Sequence, residues 1–320
     1  MIDRSLILKG PAVVIRAGHT YFTREQITLR AVKDTWTVAS NISGSAGERI
    51  SGKTILVTFT PQGLLDDAAA YFPWLDLADL GSQIFGAADT PLVIHTLSGR
   101  TLTLPASANL GVRRLHLGTD ATALGEISFL CLGKLSTDDT DPAARHTVAE
   151  AAYASGLYDR TKIRTPGYQA ALTVGTGETA VTTAMEGLEG FDIDIAPDFD
   201  PDSVNAYGPV GQTFTGLAVS ALCKPCNLTE AEVLALLRLQ GTGAQEIGDD
   251  LAITDAVLTV SPANALAKGV TAVLYGVGAK EAEFQFGLKA KRVQGLAMTA
   301  SPVAVGSAYK LIDITFPSWS

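Results

Sequence analysis

The run Gly125-Glu126-Ile127-Ser128-Phe129-Leu130-Cys131-Leu132 alternates Ile127, Phe129 and Cys131 with Glu126, Ser128 and the more permissive Leu130. Alternation at period two is the mark of a strand with one face in a core. The pattern recurs at Ala282-Glu283-Phe284-Gln285-Phe286-Gly287-Leu288, 157 positions later. The overlay matches Glu126 with Glu283, Ile127 with Phe284, Phe129 with Phe286, and Cys131 with Leu288. On it, Cys131 is core filler rather than a reactive thiol.

Other pairs recur in the same order. Residues 167–175 overlay 10–18 at an offset of 157, with the turn glycine Gly18 matched by Gly175. Residues 191–193 fall on 36–38 at 155, 258–260 on 102–104 at 156, and 219–225 on 55–61 at 164. A longer loop before residue 219 accounts for the drift. Solenoid units repeat every ~20–50 residues, so this spacing indicates a duplicated domain. We expect copy 1 over residues 1–133, a linker over 134–160, and copy 2 over 161–320 with an extra strand at 310–316.

Composition sets the limits. A chain of 320 residues is long enough for two domains of ~150 that each bury a core. It is 47% hydrophobic and 18% charged, yet no apolar run approaches the ~20 residues that span a bilayer, so the apolar excess points to protein contacts. Charges of both signs in the first five residues argue against a signal peptide. Three cysteines give no disulfide framework and suggest folding in a reducing cytoplasm. The net charge of −9 argues against gripping nucleic acid through its phosphates. It is compatible with DNA sliding past.

The local signals are mostly strand. Residues 12–17 and 27–32 alternate on either side of a turn, and Thr54–Thr60 is the strongest strand of the first half, closed by Pro61. Residues 36–53 start as a strand and dissolve into Gly and Ser, which predicts a long loop, as does 191–215. Short helices are expected over 64–72, before Pro73, and over 229–240, where Thr229 and Glu232 form a capping box. Further strands fall at 91–95, 101–104 and 112–117. Each copy reads as a β-sandwich or partly closed barrel with one short flanking helix.

Few residues suggest chemistry. Cys223-Lys224-Pro225-Cys226 between a strand and a helix has the local order of a thiol redox site, whose helix N-terminus would lower a thiol pKa. Against this, copy 1 has Phe59-Thr60-Pro61-Gln62 in that place, and the proline is explained by the turn. Seven acids and no base lie between Glu186 and Asp202. Residues 1–155 carry 13 basic and 15 acidic side chains and 156–320 carry 11 and 18, so this segment supplies the second half's excess. A calcium site on Asp192, Asp194, Asp198, Asp200 and Asp202 is the cation alternative, although the spacing lacks the glycine and terminal glutamate of an EF-hand loop. His19, His95, His116 and His146 have no paired spacing, and no phosphate loop, nucleophile elbow or catalytic carboxylate pair is present, so no enzyme, cofactor or metal is expected.

Residues 47–63, the segment 85–92 and the strand at 124–129 resemble the major tail tube proteins of long-tailed bacteriophages: a long loop entering a central strand, then a short helix, then a hairpin. The resemblance implies a tail-tube-like fold of two packed sheets, with inner strands of successive subunits joined into a β-barrel around a lumen. Rings of this family hold six domains, so a duplicated chain would close one as a homotrimer, a pseudo-hexamer. It implies a virion protein, made in the host cytoplasm, whose stacked rings form a conduit for ejected double-stranded DNA. Other tail proteins (tape measure, terminator, tip, sheath) would be partners, with no membrane insertion. A tail-tip hub or tube initiator of the same fold is the alternative, and a thiol oxidoreductase using Cys223 and Cys226 a remote one. Ring contacts are expected from Trp36, Asn41, Ser45, Glu48, Arg49, Lys53, Phe191, Asp198, Asp202 and Tyr207. Glu126, Ser128, Glu283 and Gln285 are the candidates to face the lumen. The acidic segment is expected to lack a partner in copy 1.

Overall fold

The computed structural model describes residues 12–23, 26–40, 44–62, 67–86, 88–118, 122–138, 141–154, 167–177, 180–204, 208–238, 245–253, 255–264, 269–286 and 291–317. The fold is mainly β, and the described residues form antiparallel sheets with two short helices and no closed barrel.

In the first half, alternating residues form β1 (Ala12–Arg16), β2 (His19–Thr23), β3 (Thr28–Ser40), β4 (Gly44–Phe59), the two-residue β5 (Pro61–Gln62), β6 (Leu92–Thr96), β7 (Thr101–Leu104), β8 (Ala106–Val112), β9 (Arg114–Leu117), β10 (Thr122–Leu124), β11 (Ile127–Leu132) and β12 (Ser136–Asp138). One sheet runs β12-β7-β6-β1-β2-β5 and a second β3-β4-β11-β8. Val14, Leu92, Ile94 and Leu104 of the first share a core with Ile55, Val57, Phe59, Ile127, Phe129 and Cys131 of the second. Tyr21 sits edge-on to Phe59 and Phe129 at 6.0 and 5.7 Å, and its hydroxyl donates to the Ala70 carbonyl. Cys131 is fully buried, and burial pushes its thiol up to about 12, so it is core filler as expected.

Residues 134–154 are more than a linker. Following β12, α1 (Pro142–Ala154) lies on the outer face of the first sheet, where Val148 and Ala151 pack with Val13, Phe22 and Ile15. Asp141 accepts from the Ala143 amide and Pro142 opens the helix, while Ala144, Val148 and Ala151 form its buried stripe. The helix expected over 64–72 is instead a single 3-10 turn, Ala68–Ala70, capped by Asp67, with 64–66 outside the described residues.

The second half contains β13 (Tyr168–Val174), β14 (Val181–Val204), β15 (Gly208–Pro225), α2 (Glu230–Leu236), β16 (Ala256–Pro262), β17 (Thr271–Tyr275), β18 (Gly278–Phe286), β19 (Lys291–Thr299), β20 (Val303–Val305), β21 (Ala308–Lys310) and β22 (Ile312–Thr315). The capping box of Thr229 and Glu232 opens α2 as expected. The strand path β18-β19-β15-β14-β13-β16-β17-β22 contains the order of both sheets of the first half, joined through β14. Its stretch β14-β13-β16-β17-β22 follows β2-β1-β6-β7-β12, and β14-β15-β19-β18 follows β3-β4-β11-β8. A single long strand, β14, takes the places of both β2 and β3, with a bulge between Gly187 and Phe191 where it passes from one layer to the other. The closing strand β22 occupies the place of β12 and is not an addition.

Pairing moves several of the expected overlays. In β3–β4 the pairs Leu29↔Val57, Asp34↔Gly52, Thr35↔Ile50, Ala39↔Ser45 and Ser40↔Gly44 have counterparts in β14–β15 at Ile193↔Ala221, Asp198↔Gly216, Phe199↔Phe214, Ser203↔Pro209 and Val204↔Gly208, all at an offset of 164. Both hairpins carry a bulge after the equivalent aspartates, Asp34 and Asp198. The extra residues therefore enter before residue 191, not before 219, and 191–193 stands where 27–29 does. The acidic segment does have a partner, with Asp192 at the position of Thr28 and Asp194 at that of Arg30. The opening strand β11 corresponds to β19, because Phe129 pairs with Val57 as Met298 pairs with Ala221. Residues 282–288 belong mainly to its neighbour β18, and β16 stands for β6 rather than for 102–104. Every half-buried strand alternates, so two neighbours on one sheet show the same pattern, and only pairing tells them apart.

The expected long loops at 36–53 and 191–215 are hairpins paired out to Ser40↔Gly44 and Val204↔Gly208. Each arm supplies the partners for the other's peptide groups, which outweighs the weak strand preference of Gly and Ser.

Candidate subunit interface

Arg114 to Leu117 join the two halves. After β8, which pairs with β11, the chain bends at Arg113 and continues as β9 beside β14. Phe191 pairs with Leu117, Asp192 with His116, Ile193 with Leu115 and Asp194 with Arg114. The Ile195 amide donates to the Arg113 carbonyl at 2.8 Å. Together β8 and β9 weld the two four-stranded units into one run, β3-β4-β11-β8/β9-β14-β15-β19-β18. Among the described residues, its two ends, β3 and β18, have no strand beyond them.

The core face of this weld is dry. Leu115, Leu117, Phe191 and Ile193 are each 0% exposed. Gly190, at φ +92°, lets the backbones close up, since a Cβ there would collide with the Leu117 carbonyl oxygen. The opposite face carries charge. Asp192 accepts from Arg114 at 3.0 and 3.2 Å and lies 2.7 Å from His116 Nδ1. Burial alone would raise the Asp192 carboxyl, but the hydrogen bonds and charges of His116 and Arg114 outweigh it and hold the pKa below its ordinary value.

The outer part of the paired β14–β15 arms covers the outer face of the first half. Phe199 and Phe214 meet Trp74 at 5.7 and 5.4 Å, over a patch of Ile84, Ala108, Leu110 and Leu130. Backbone bonds Gly81 N–H to Phe214 O (2.8 Å), Phe214 N–H to Ser82 O (3.0 Å) and Ile84 N–H to Gln212 O (2.9 Å) fix this part of β15 in place. At the far end, Phe316 packs on Tyr71 and Phe72.

The predicted ring-contact residues divide. Phe191 is core within one chain and not a surface between chains. Asp202 accepts from Thr213 Oγ1 at 2.9 Å, and Asp198 is exposed beside Gly216. Glu48, Arg49 and Lys53 are exposed on β4. Asn41 and Tyr207, and the side chains of Trp36, Ser45 and Gln285, lie outside the described residues. Glu126 is exposed and Ser128 half-buried next to and on β11, and Glu283 is exposed on β18; the overlay that made Glu126 and Glu283 equivalent does not survive the pairing. Sequence reading missed Arg114, His116, Trp74 and Phe214. The charges of Arg113-Arg114 and of the acidic segment are visible in the sequence, but only the pairing of β9 with β14 brings them together.

The aspartates of 192–202 do not converge. Alternate residues of an extended strand stand ~6.7 Å apart along it, and among the described residues no three His, Cys, Asp or Glu side chains form a group that could hold a metal ion. Cys223 is 2% exposed, and burial pushes its thiol up to about 12, opposite to the lowering a nucleophilic thiol needs. Exposed Cys226 donates its S–H to the Glu186 carbonyl at 3.2 Å. No described helix is long and apolar enough to cross a membrane.

No family model matches the chain, and no curated protein matches it. Among solved structures, a chain of the anti-feeding prophage (AFP) baseplate, determined by cryo-electron microscopy with six-fold symmetry applied, is similar at 8% identity and a TM-score of 0.28. The match covers 47% of this chain and 93% of that one. A likeness of that size sets neither fold nor role.

Proposed function

We propose that this chain is a structural subunit of a bacteriophage tail tube, in which three copies close a pseudo-hexameric ring and rings stack into a conduit for double-stranded DNA. The observation that carries the reading is the run of two matching four-stranded units, welded by β9 and ending on two strand edges. A sheet built from repeated units and open at both ends extends by adding more units. Closing it into a ring removes the edges, and stacking rings through unlike faces propagates a filament whose length other tail proteins must set. The charges on the outer face of the weld are mixed in sign, which suits a wall that DNA passes without binding.

Negative-stain microscopy of the purified full-length chain tests this. Rings of six lobes, alone or stacked into tubes, are expected. A compact monomer at every concentration would overturn the proposal, and rings that never stack would move the chain to a tail-tip hub.

A further inference from the structure

We infer that the β18 edge of one chain pairs antiparallel with the β3 edge of a second copy, in the register that β9 and β14 use inside one chain, and that a reversal of charge between the two junctions makes the contact head-to-tail. Only the closure of such contacts into a ring rests on the tube reading.

The internal junction supplies the template. Through the constant offset of the two hairpins, Leu29 and Arg30 of β3 stand where Ile193 and Asp194 stand on β14. On the other side, Ala282 pairs with Leu296 as Val112 pairs with Ile127. The next core-facing residue is Phe284 in β18 and Leu115 after β8, so Glu283 takes the place of Arg114. Transferring Leu115↔Ile193 and Arg114↔Asp194 places Phe284 opposite Leu29 and Glu283 opposite Arg30.

Two independent observations fit that register. Leu115 and Ile193 are fully buried at the internal junction, whereas Leu29 and Phe284 reach the same core but stay partly exposed at the edges. A joined edge would seal them. Charge at the transferred position also matches and is inverted: within the chain Arg114 of β9 meets Asp194 of β14, and at the free edges Glu283 of β18 would meet Arg30 of β3. Like charges directly across a strand pair are destabilising. Pairing β18 with another β18, or β3 with another β3, about these positions would set Glu283 against Glu283 or Arg30 against Arg30. At this pair of positions charge favours the head-to-tail contact.

The test is cross-linking of full-length R30C/E283C in a Cys226→Ser background, since the other two thiols are buried. Cβ atoms directly opposite on antiparallel strands lie ~4.5–5.5 Å apart, close enough for a disulfide. Mild oxidation should give covalent multimers, at least about ten-fold more than either single-cysteine variant gives. In parallel, R30E and E283R should each raise the protein concentration needed for assembly at least about ten-fold, a 1.4 kcal/mol effect, and R30E/E283R should recover most of it. Circular dichroism like that of the parent chain keeps misfolding out of the comparison. Rings that form without cross-linking would overturn this junction and leave the tube reading standing. Cross-linked chains that never close into rings would uphold the junction and overturn the tube reading. Monomers that neither assemble nor cross-link would overturn both.

Discussion

The hairpins β3–β4 and β14–β15 are the same device in two settings. Their pairs and the bulges after Asp34 and Asp198 coincide at an offset of 164 residues, and both carry Gly where β4 and β15 begin, Gly44 and Gly208, and at that bulge, Gly52 and Gly216. Yet one is covered and the other bare. Phe214 is fully buried under Trp74, while Ile50 at the equivalent position is 59% exposed. Phe199 packs in that aromatic group where the first hairpin has Thr35. The covered hairpin lies on the first half of its own chain. The bare one has no such half beside it within the chain. The difference shows how one hairpin design yields an internal junction in one setting and an exposed face in the other.

The comparison can be broken most forcefully at Phe214. Phe214→Ala empties a buried aromatic site and should cost about 3–5 kcal/mol in chemical denaturation of the full chain. Gly190→Ala comes next. Its backbone at φ +92° costs about 1–3 kcal/mol with a side chain, and the added methyl pushes β14 off β9. The equivalent site in the first hairpin holds Gln26, which Gln26→Ala should show to be tolerant. Asp192→Asn should have a smaller effect of about 1 kcal/mol, as expected for a partly exposed, hydrogen-bonded ion pair.

That variant also carries a pH signature. The folded pKa of Asp192 lies below its unfolded value, so the carboxylate stabilises the junction at pH above the unfolded value of ~3.9. Its contribution is lost as pH falls through the lower folded value. Denaturation midpoints measured from neutral to acid pH should fall more steeply for the parent than for Asp192→Asn. A parallel pair of curves would remove Asp192 from the junction. The smallest effect is expected at Ile50, where Ile50→Ala should change monomer stability by less than ~0.5 kcal/mol. If the bare hairpin is an assembly surface, the same change should weaken ring or tube formation. A large monomer effect would mean that Ile50 already has a partner within the chain.

Much of the fold was legible in the residues. The alternation of Ile127, Phe129 and Cys131 placed a strand with its core face correctly, and the capping box at Thr229 opened a helix. The helix α1 was missed because Thr, Asp and Ala at 134–160 were taken as linker composition. Its signal was the stripe of Ala144, Val148 and Ala151 behind Asp141-Pro142. The interface was less legible. Asp192 and Asp194 stood out as unpaired acids, and nothing in their spacing pointed to Arg114 and His116 more than seventy residues earlier.

By itself the sequence determined the class of structure, because whether a segment alternates at period two, and where Gly, Pro and caps end it, depends on residues close together in the chain. Which strands are equivalent, which hairpin is covered and which edges remain open were decided only by tertiary structure. Alternation is common to every half-buried strand and cannot rank neighbours. That ranking comes from backbone pairing and from contacts between residues such as Trp74 and Phe214, which only the folded chain brings together.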